Sequence, residues 1–217
     1  MNSFVGWISK QESFLLKDIA FSLLYVLASY FAIISLIKFL RKRNYSNLKL
    51  VLVAVLCIQC AFIYNAFNTP SNEFVIFHKS RYSLVGNTVN NSISVAHDFD
   101  GITQSKNKII KDYTVGNHIK TIKKDTLQPF YILNNKTLLV VDSLGVYNLK
   151  SVIPDYVLLR QSPKINLNRL IDSIQPKYII ADGSNYKSYV TRWEAICKKR
   201  KLPFHQTSKK GAFVIDY

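Results

Sequence analysis

Pro176-Lys177-Tyr178-Ile179-Ile180-Ala181-Asp182-Gly183-Ser184-Asn185-Tyr186 holds a strand, a turn and the approach to a helix. Tyr178 to Ala181 is a short apolar run of β-favouring residues between a proline and a turn, the pattern of a buried strand. Asp182-Gly183-Ser184-Asn185 is turn chemistry and offers a helix N-cap. Beyond it the period changes, and Tyr186, Tyr189, Val190, Trp193, Ile196 and Cys197 fall on one helical stripe. Lys198, Lys199, Arg200 and Lys201 load the last turn with the charge that the helix dipole favours, and Pro203 stops the helix. Ala212 to Ile215 is a further apolar strand. The expected unit is strand–helix–strand.

Upstream, Leu167 to Ile174 predicts a short helix capped by Asn166, and Tyr156 to Leu159 a strand. Phe130 to Leu133 and Leu138 to Val141 form an expected hairpin about Asn134-Asn135, closed by Asp142. Phe74 to Phe77, Tyr82 to Val85 and Ile93 to Ala96 read as strands, separated by the turn signals Gly86-Asn87 and Asn90-Asn91. The polar, Lys-rich run from Gly101 to Tyr113 has room for one short helix, and Thr69-Pro70-Ser71-Asn72 is the linker before the domain. Strands first, then strands alternating with helices, predict an α/β (α+β) domain over 70–217, a mixed sheet with helices packed against it.

Residues 1–69 read as a membrane segment. Ile19 to Ile37 is apolar apart from Ser and Tyr, and a second apolar run goes from Leu50 to Phe67, broken by Gln59 and Asn65. Each is long enough to cross the hydrocarbon core, so transmembrane helices are expected over about 19–38 and 49–68. The loop from Arg41 to Lys49 is the densest positive stretch near them. The positive-inside rule puts it in the cytoplasm and both termini outside, with Phe4 and Trp7 as interfacial anchors; the alternative is the inverted topology, since the domain after residue 70 is also basic and long domains cross regardless of charge. The basic cluster follows the first apolar run, which argues against a signal peptide. Cys57 and Cys60 form a C-x-x-C inside an apolar run and read as small helix- or lipid-facing residues. Cys197 lies on the buried stripe, and three cysteines give no disulfide framework. Lysine and arginine total 29 against 13 acidic residues, a net charge of +16, which favours an anionic partner such as nucleic acid or lipid headgroups.

Ile180-Ala181-Asp182-Gly183-Ser184-Asn185-Tyr186, the Trp193 helix, and Thr207-Ser208-Lys209-Lys210-Gly211-Ala212 together resemble the end of the ComEC-type competence proteins, the membrane channels that carry transforming DNA into bacteria. The resemblance implies a metallo-β-lactamase-like fold for the terminal domain and a multi-pass place in the inner membrane, with that domain extracytoplasmic. It also implies the remaining helices of a DNA channel as partners, and single- or double-stranded DNA as ligand. Two spans rarely make a channel alone, so the chain is expected to be the tail of a longer protein or one half of a split one.

Active relatives carry a His-x-His-x-Asp-His cluster whose two metals activate a water against a phosphodiester. Here the four histidines are His78, His97, His118 and His205, with no two spaced two apart, and His97-Asp98-Phe99-Asp100 is a poor echo. Val141-Asp142 stands where relatives carry Gly-Asp, and Arg160-Gln161-Ser162-Pro163 where they carry a His-His-Gly-Ser-like turn. Asp142 is then a remnant that caps a turn, and the expectation is no catalytic residue, no metal and no cofactor. No Gly-x-Ser-x-Gly elbow supports a serine hydrolase.

Candidate DNA-binding residues form two groups. Ser184, Asn185 and Lys187 sit at the turn before the helix, where backbone amides can donate to a phosphate, though Asp182 would oppose an anion unless it caps. Lys198, Lys199, Arg200 and Lys201, with Lys209 and Lys210, make a second patch. Lys106, Lys108, Lys111, Lys120, Lys123 and Lys124 add a further polar region, and Tyr186 and Tyr189 could stack on bases. The expected function is a non-catalytic domain that guides DNA or stabilises the channel. The alternatives are a metal-dependent nuclease and a purely structural membrane-anchored domain.

Overall fold

The computed structural model describes residues 22–67, 72–100, 108–147 and 153–217. The start of the first expected span, most of the 69–72 linker and the first part of the Gly101–Tyr113 segment lie outside them. The chain divides into two units.

The first unit holds α1 (Leu23–Arg41), α2 (Tyr45–Phe67) and most of α3 (Ile109–Gly116). The side chain of Ser22 caps α1 by accepting from the Tyr25 amide, and Lys38 and Arg41 complement its C-terminal dipole. Asn47 Nδ2 donates to the Lys42 carbonyl at 2.7 Å and closes the turn between the helices. The two helices pack as a hairpin, with Tyr25 edge-on to Phe62. Ser35, Ala54 and Ala61 are buried, small residues of the kind that let helices approach closely in lipid. Ser35 returns its hydroxyl to the Phe31 carbonyl at 2.7 Å. Leu27, Ile37, Leu52 and Phe62 lie exposed on the outside of the pair. Both helices are long and apolar enough to cross a membrane. The second helix begins at Tyr45, not near 49, because its first turn is polar and leaves no mark on an apolar run.

The second unit is built on two five-stranded sheets. β1 (Asn72–Ile76), β2 (Leu84–Val89) and β3 (Ser92–His97) are antiparallel, and β4 (Thr121–Asp125) joins β3 in parallel. The second sheet runs β5 (Phe130–Leu133), β6 (Lys136–Val141), β7 (Tyr156–Leu159), β8 (Tyr178–Ala181) and β9 (Phe204–Gln206), parallel from β6 onward. α4 (Leu167–Ile174) follows β7 and α5 (Lys187–Lys199) follows β8. The short α6 (Thr207–Lys210) precedes β10 (Phe213–Asp216), which pairs antiparallel with β1.

Strand alternation sorts the core into two layers. Leu138, Val140, Leu158 and Ile180 pack with Phe74, Ile76, Val85, Ala96 and Ile215 between the sheets. Leu139, Val141, Val157, Leu159, Ile179 and Ala181 face the other way, onto Leu167, Leu170 and Ile174 of α4 and Val190, Trp193 and Cys197 of α5. The Asn166 cap is present, its side chain accepting from the Arg169 amide. Burial pushes the Cys197 thiol up to about 11, so it packs as a small apolar group.

Several expectations are corrected. There are two sheets, and the strand that follows α5 in its own sheet is β9. The Ala212–Ile215 segment closes the other sheet, so the strand–helix–strand unit does not end where expected. Gly86 and Asn87 lie inside β2, paired with Val95 and Ser94. A Cβ at Gly86 would meet Ile93 Cδ1 at 2.8 Å, so this glycine marks close packing and no turn. Tyr186 is 72% exposed and stands off the buried stripe.

Candidate functional site

The parallel strands β6, β7 and β8 end side by side, so Asp142, Arg160-Gln161-Ser162 and Asp182-Gly183-Ser184-Asn185 emerge at one edge. In parallel sheets this carboxyl edge is where ligands bind. The first sheet contributes the 78–83 connection and Asp98, just past β3.

A polar network ties these segments together. Ser83 Oγ donates to Asp182 Oδ2 at 2.6 Å and accepts from Arg160 Nε at 3.0 Å. Arg160 Nη2 pairs with Asp98 Oδ2 at 2.7 Å, and the Ser83 amide donates to Asp98 Oδ1 at 2.7 Å. Gln161 Nε2 donates to the same Asp98 oxygen as Arg160, at 3.1 Å. Asp182 Oδ1 accepts from the Ser184 hydroxyl at 2.6 Å and from the Ser184 amide and Asn185 Nδ2 at 3.0 Å each. Asp182 is 3% exposed, and burial pushes its carboxyl up to about 6, against the pull of the Ser184 and Ser83 hydrogen bonds and the Arg160 charge. It is therefore mainly an anion at neutral pH. The cation that a buried aspartate beside Asp98 demands is the guanidinium of Arg160.

The turn residues work inward. Ser184 Oγ accepts from the Gln161 amide at 2.7 Å, and Asn185 Oδ1 from the Ser162 amide at 2.8 Å. Asn185 Nδ2 also donates to the Leu159 carbonyl at 2.6 Å. The Tyr186 amide donates to Ser162 Oγ at 2.7 Å, and α5 begins without a side-chain cap of its own. The expected N-cap is thus replaced by a brace between the β8 and β7 turns. Gly183 makes room for the first sheet: a Cβ there would come within 2.2 Å of the Lys79 carbonyl oxygen. Its own carbonyl accepts from the Arg81 amide at 2.8 Å.

The residues present do not fit a divalent metal. Arg160 places a fixed positive charge between the acids that would have to bind one. Three of the four histidines are engaged one by one with other partners. His78 Nδ1 bonds Thr207 Oγ1, His97 accepts from the Phe99 amide and stacks on that ring, and His205 Nε2 meets the Gly211 carbonyl. Among the described residues no three His, Cys, Asp or Glu side chains group closely enough to hold an ion. Asp142 accepts from the Leu144 amide at 3.0 Å, the turn-capping role.

Of the nine candidate DNA-binding residues, Ser184, Asn185 and Lys187 come together. Lys198, Lys199, Arg200 and Lys201 lie at the other end of α5, about 20 Å away along the helix. Arg200 pairs with Asp172, Lys209 with Glu194 at 2.9 Å, and Lys210 donates to the Phe204 carbonyl at 2.9 Å. Lys198, Lys199 and Lys201 are exposed. Lys106 lies outside the described residues.

The model of the ComEC C-terminal domain family matches residues 74–217. The chain belongs to that family. No curated protein and no solved structure matches it. Membership in the ComEC C-terminal domain family supports a role in competence DNA uptake. Sequence reasoning missed Ser83 and Asp98, which hold the strand ends, and Arg81, which shares a cleft with Lys187. Of these three, Asp98 carried a weak signal in the poor His97-Asp98-Phe99-Asp100 echo, and its partners Arg160 and Gln161 carried one as the pair standing where the resemblance implies histidines.

Proposed function

We propose that this chain is the membrane-anchored terminal part of a DNA-uptake channel, with a degenerate metallo-β-lactamase-like domain that handles DNA without hydrolysing it. The observation that carries this reading is the bond from Arg160 to Asp98. A guanidinium held by a carboxylate and a serine stands at the strand ends where metal-ligating imidazoles would be needed. A protein built this way keeps the shape of the site and its electrostatic balance, and gives up water activation. The two apolar helices anchor it in the inner membrane as a multi-pass protein, and the basic turn at 41–49 favours the domain on the extracytoplasmic side. There it meets incoming DNA and the remaining helices of the channel.

The test is binding of fluorescein-labelled oligo-dT to the full chain in detergent micelles, followed by anisotropy. The expected result is measurable binding at low salt that weakens steeply as salt rises, with the oligonucleotide left intact in the presence of Mn2+. Absence of binding at low salt overturns DNA guidance; Mn2+-dependent cleavage lost on Asp142→Ala overturns the non-catalytic reading.

A further inference from the structure

Among the described residues, eight non-glycine residues have left-handed φ. Five of them, Asn90, Asn134, His118, Gln175 and Lys201, sit in hairpin turns or just past helix ends, where this conformation is ordinary. The other three, Arg81 at 70°, Gln161 at 55° and Ser162 at 53°, meet at the strand ends. Arg81 occupies the third position of a turn closed by the Tyr82 amide on the Lys79 carbonyl, where glycine or asparagine is usual. Each strained residue is pinned by one bond from the 183–185 turn: Gly183 O to the Arg81 amide, Ser184 Oγ to the Gln161 amide, Asn185 Oδ1 to the Ser162 amide. Unusual backbone held in place by its surroundings concentrates at binding sites.

What this backbone frames is a cleft of ≈ 670 Å³, a volume within the range of ligand sites, lined by Ser80, Arg81, Gln161, Ser184, Tyr186 and Lys187 among others. No acidic side chain lines it. Arg81 and Lys187 are exposed, and neither side chain has a hydrogen-bond or ion-pair partner among the described residues. Tyr186 stands beside them, 72% exposed as a residue. Cations without counter-charge next to an uncovered aromatic face match a phosphate followed by an unpaired base. A lipid headgroup would take the same cations, but the lining offers serine, glutamine and asparagine and no apolar chain to enter the bilayer beyond the tyrosine ring.

We infer that this cleft is a single-stranded oligonucleotide site, in which Arg81 and Lys187 clamp the backbone phosphate and Tyr186 stacks on the adjoining base. The assignment rests on the DNA-handling reading above and goes beyond it by choosing this cleft over the Lys198–Lys201 patch. Arg81→Gly removes the charge and relieves the backbone at once, so it does not threaten the fold.

The experiment compares the full chain in detergent with Arg81→Gly/Lys187→Gln, with Lys198→Gln/Lys199→Gln/Lys201→Gln, and with Tyr186→Ala, each checked for an unchanged thermal midpoint. The probe is fluorescein-labelled dT oligonucleotide. The cleft pair is expected to lose about tenfold in affinity and to flatten the plot of log K against log salt by about 1.4. The distal triple is expected to lose less. Tyr186→Ala is expected to weaken dT binding but not binding of an abasic oligonucleotide of equal length. Loss in the distal triple with the cleft pair unaffected overturns the cleft assignment and leaves DNA handling standing. Failure of the unsubstituted chain to bind overturns both. Cleft-dependent binding to vesicles of phosphatidylglycerol, with none to dT, reassigns the site to lipid and overturns the proposal.

Discussion

Arg160 and Asp98 form an ion pair 2.7 Å long whose side chains are only 10% and 20% exposed. Removing one partner strands the other away from water. Arg160→Met is expected to cost about 3–5 kcal/mol, because Asp98 and Asp182 both lose their compensating charge. Arg160→Lys should recover a minority of that, since a single ammonium cannot serve Ser83 and Asp98 together. Arg160→Met/Asp98→Leu should be less damaging than the two single losses added, a coupling that urea unfolding of the four forms measures.

Gly183 meets the backbone of Lys79, and a methyl group has no flexible neighbour to displace there. Gly183→Ala is expected to destabilise by about 1–3 kcal/mol and to loosen the Arg81 amide bond. Faster amide exchange at Arg81, read by hydrogen-exchange mass spectrometry, checks it.

Asp182 makes stability depend on pH with a definite sign. Its folded value of about 6 lies above the ordinary 3.8, so the folded state holds a proton that the unfolded chain releases. Its contribution therefore favours the fold below about pH 4 and declines as pH rises to about 6, by a total of about 3 kcal/mol. Asp155 acts oppositely: its bond with Lys177 holds that carboxyl below its usual range, and its contribution is lost as pH falls through that lowered value. Comparison with Asp182→Asn isolates the first effect. The midpoint of the unsubstituted chain should gain on that of the variant between pH 7 and pH 5. A constant difference would contradict the assignment.

Trp193 is 2% exposed, edge-on to Tyr189 at 5.7 Å, and packed with Leu170 and Ile179. Trp193→Ala is expected to cost about 3–5 kcal/mol. Trp193→Phe should cost less, and both are read from thermal midpoints of the full chain.

The legible parts of the fold were those where one residue type settles its surroundings. Val157 to Leu159 and Ile179 to Ala181 are buried on both faces, so they read as apolar runs, and the Val190–Trp193–Cys197 stripe declares the side of α5 that packs. Asn166 bonds the Arg169 amide as its position before an apolar period suggests. What was not legible depends on partners distant in the chain. Every residue of β4 is exposed, and the strand exists because Ile122 and its neighbours pair with β3. β9 is three residues long and takes its place from β8. At the site, the role of Arg160 follows from Ser83 and Asp98, which no local spacing connects to it, and a left-handed arginine leaves no trace in composition.

The pairing of β10 with β1 has a consequence for biogenesis. Phe74 and Ile76 bond to Ile215 and Phe213, so the earliest strand of this unit waits, one edge bare, until nearly all of the rest has been synthesised. During that interval an unsealed apolar edge is open to chaperones or to neighbouring nascent chains. A stop codon before Phe213 would leave it open for good, so loss of β10 should read out in the cell as aggregation or turnover.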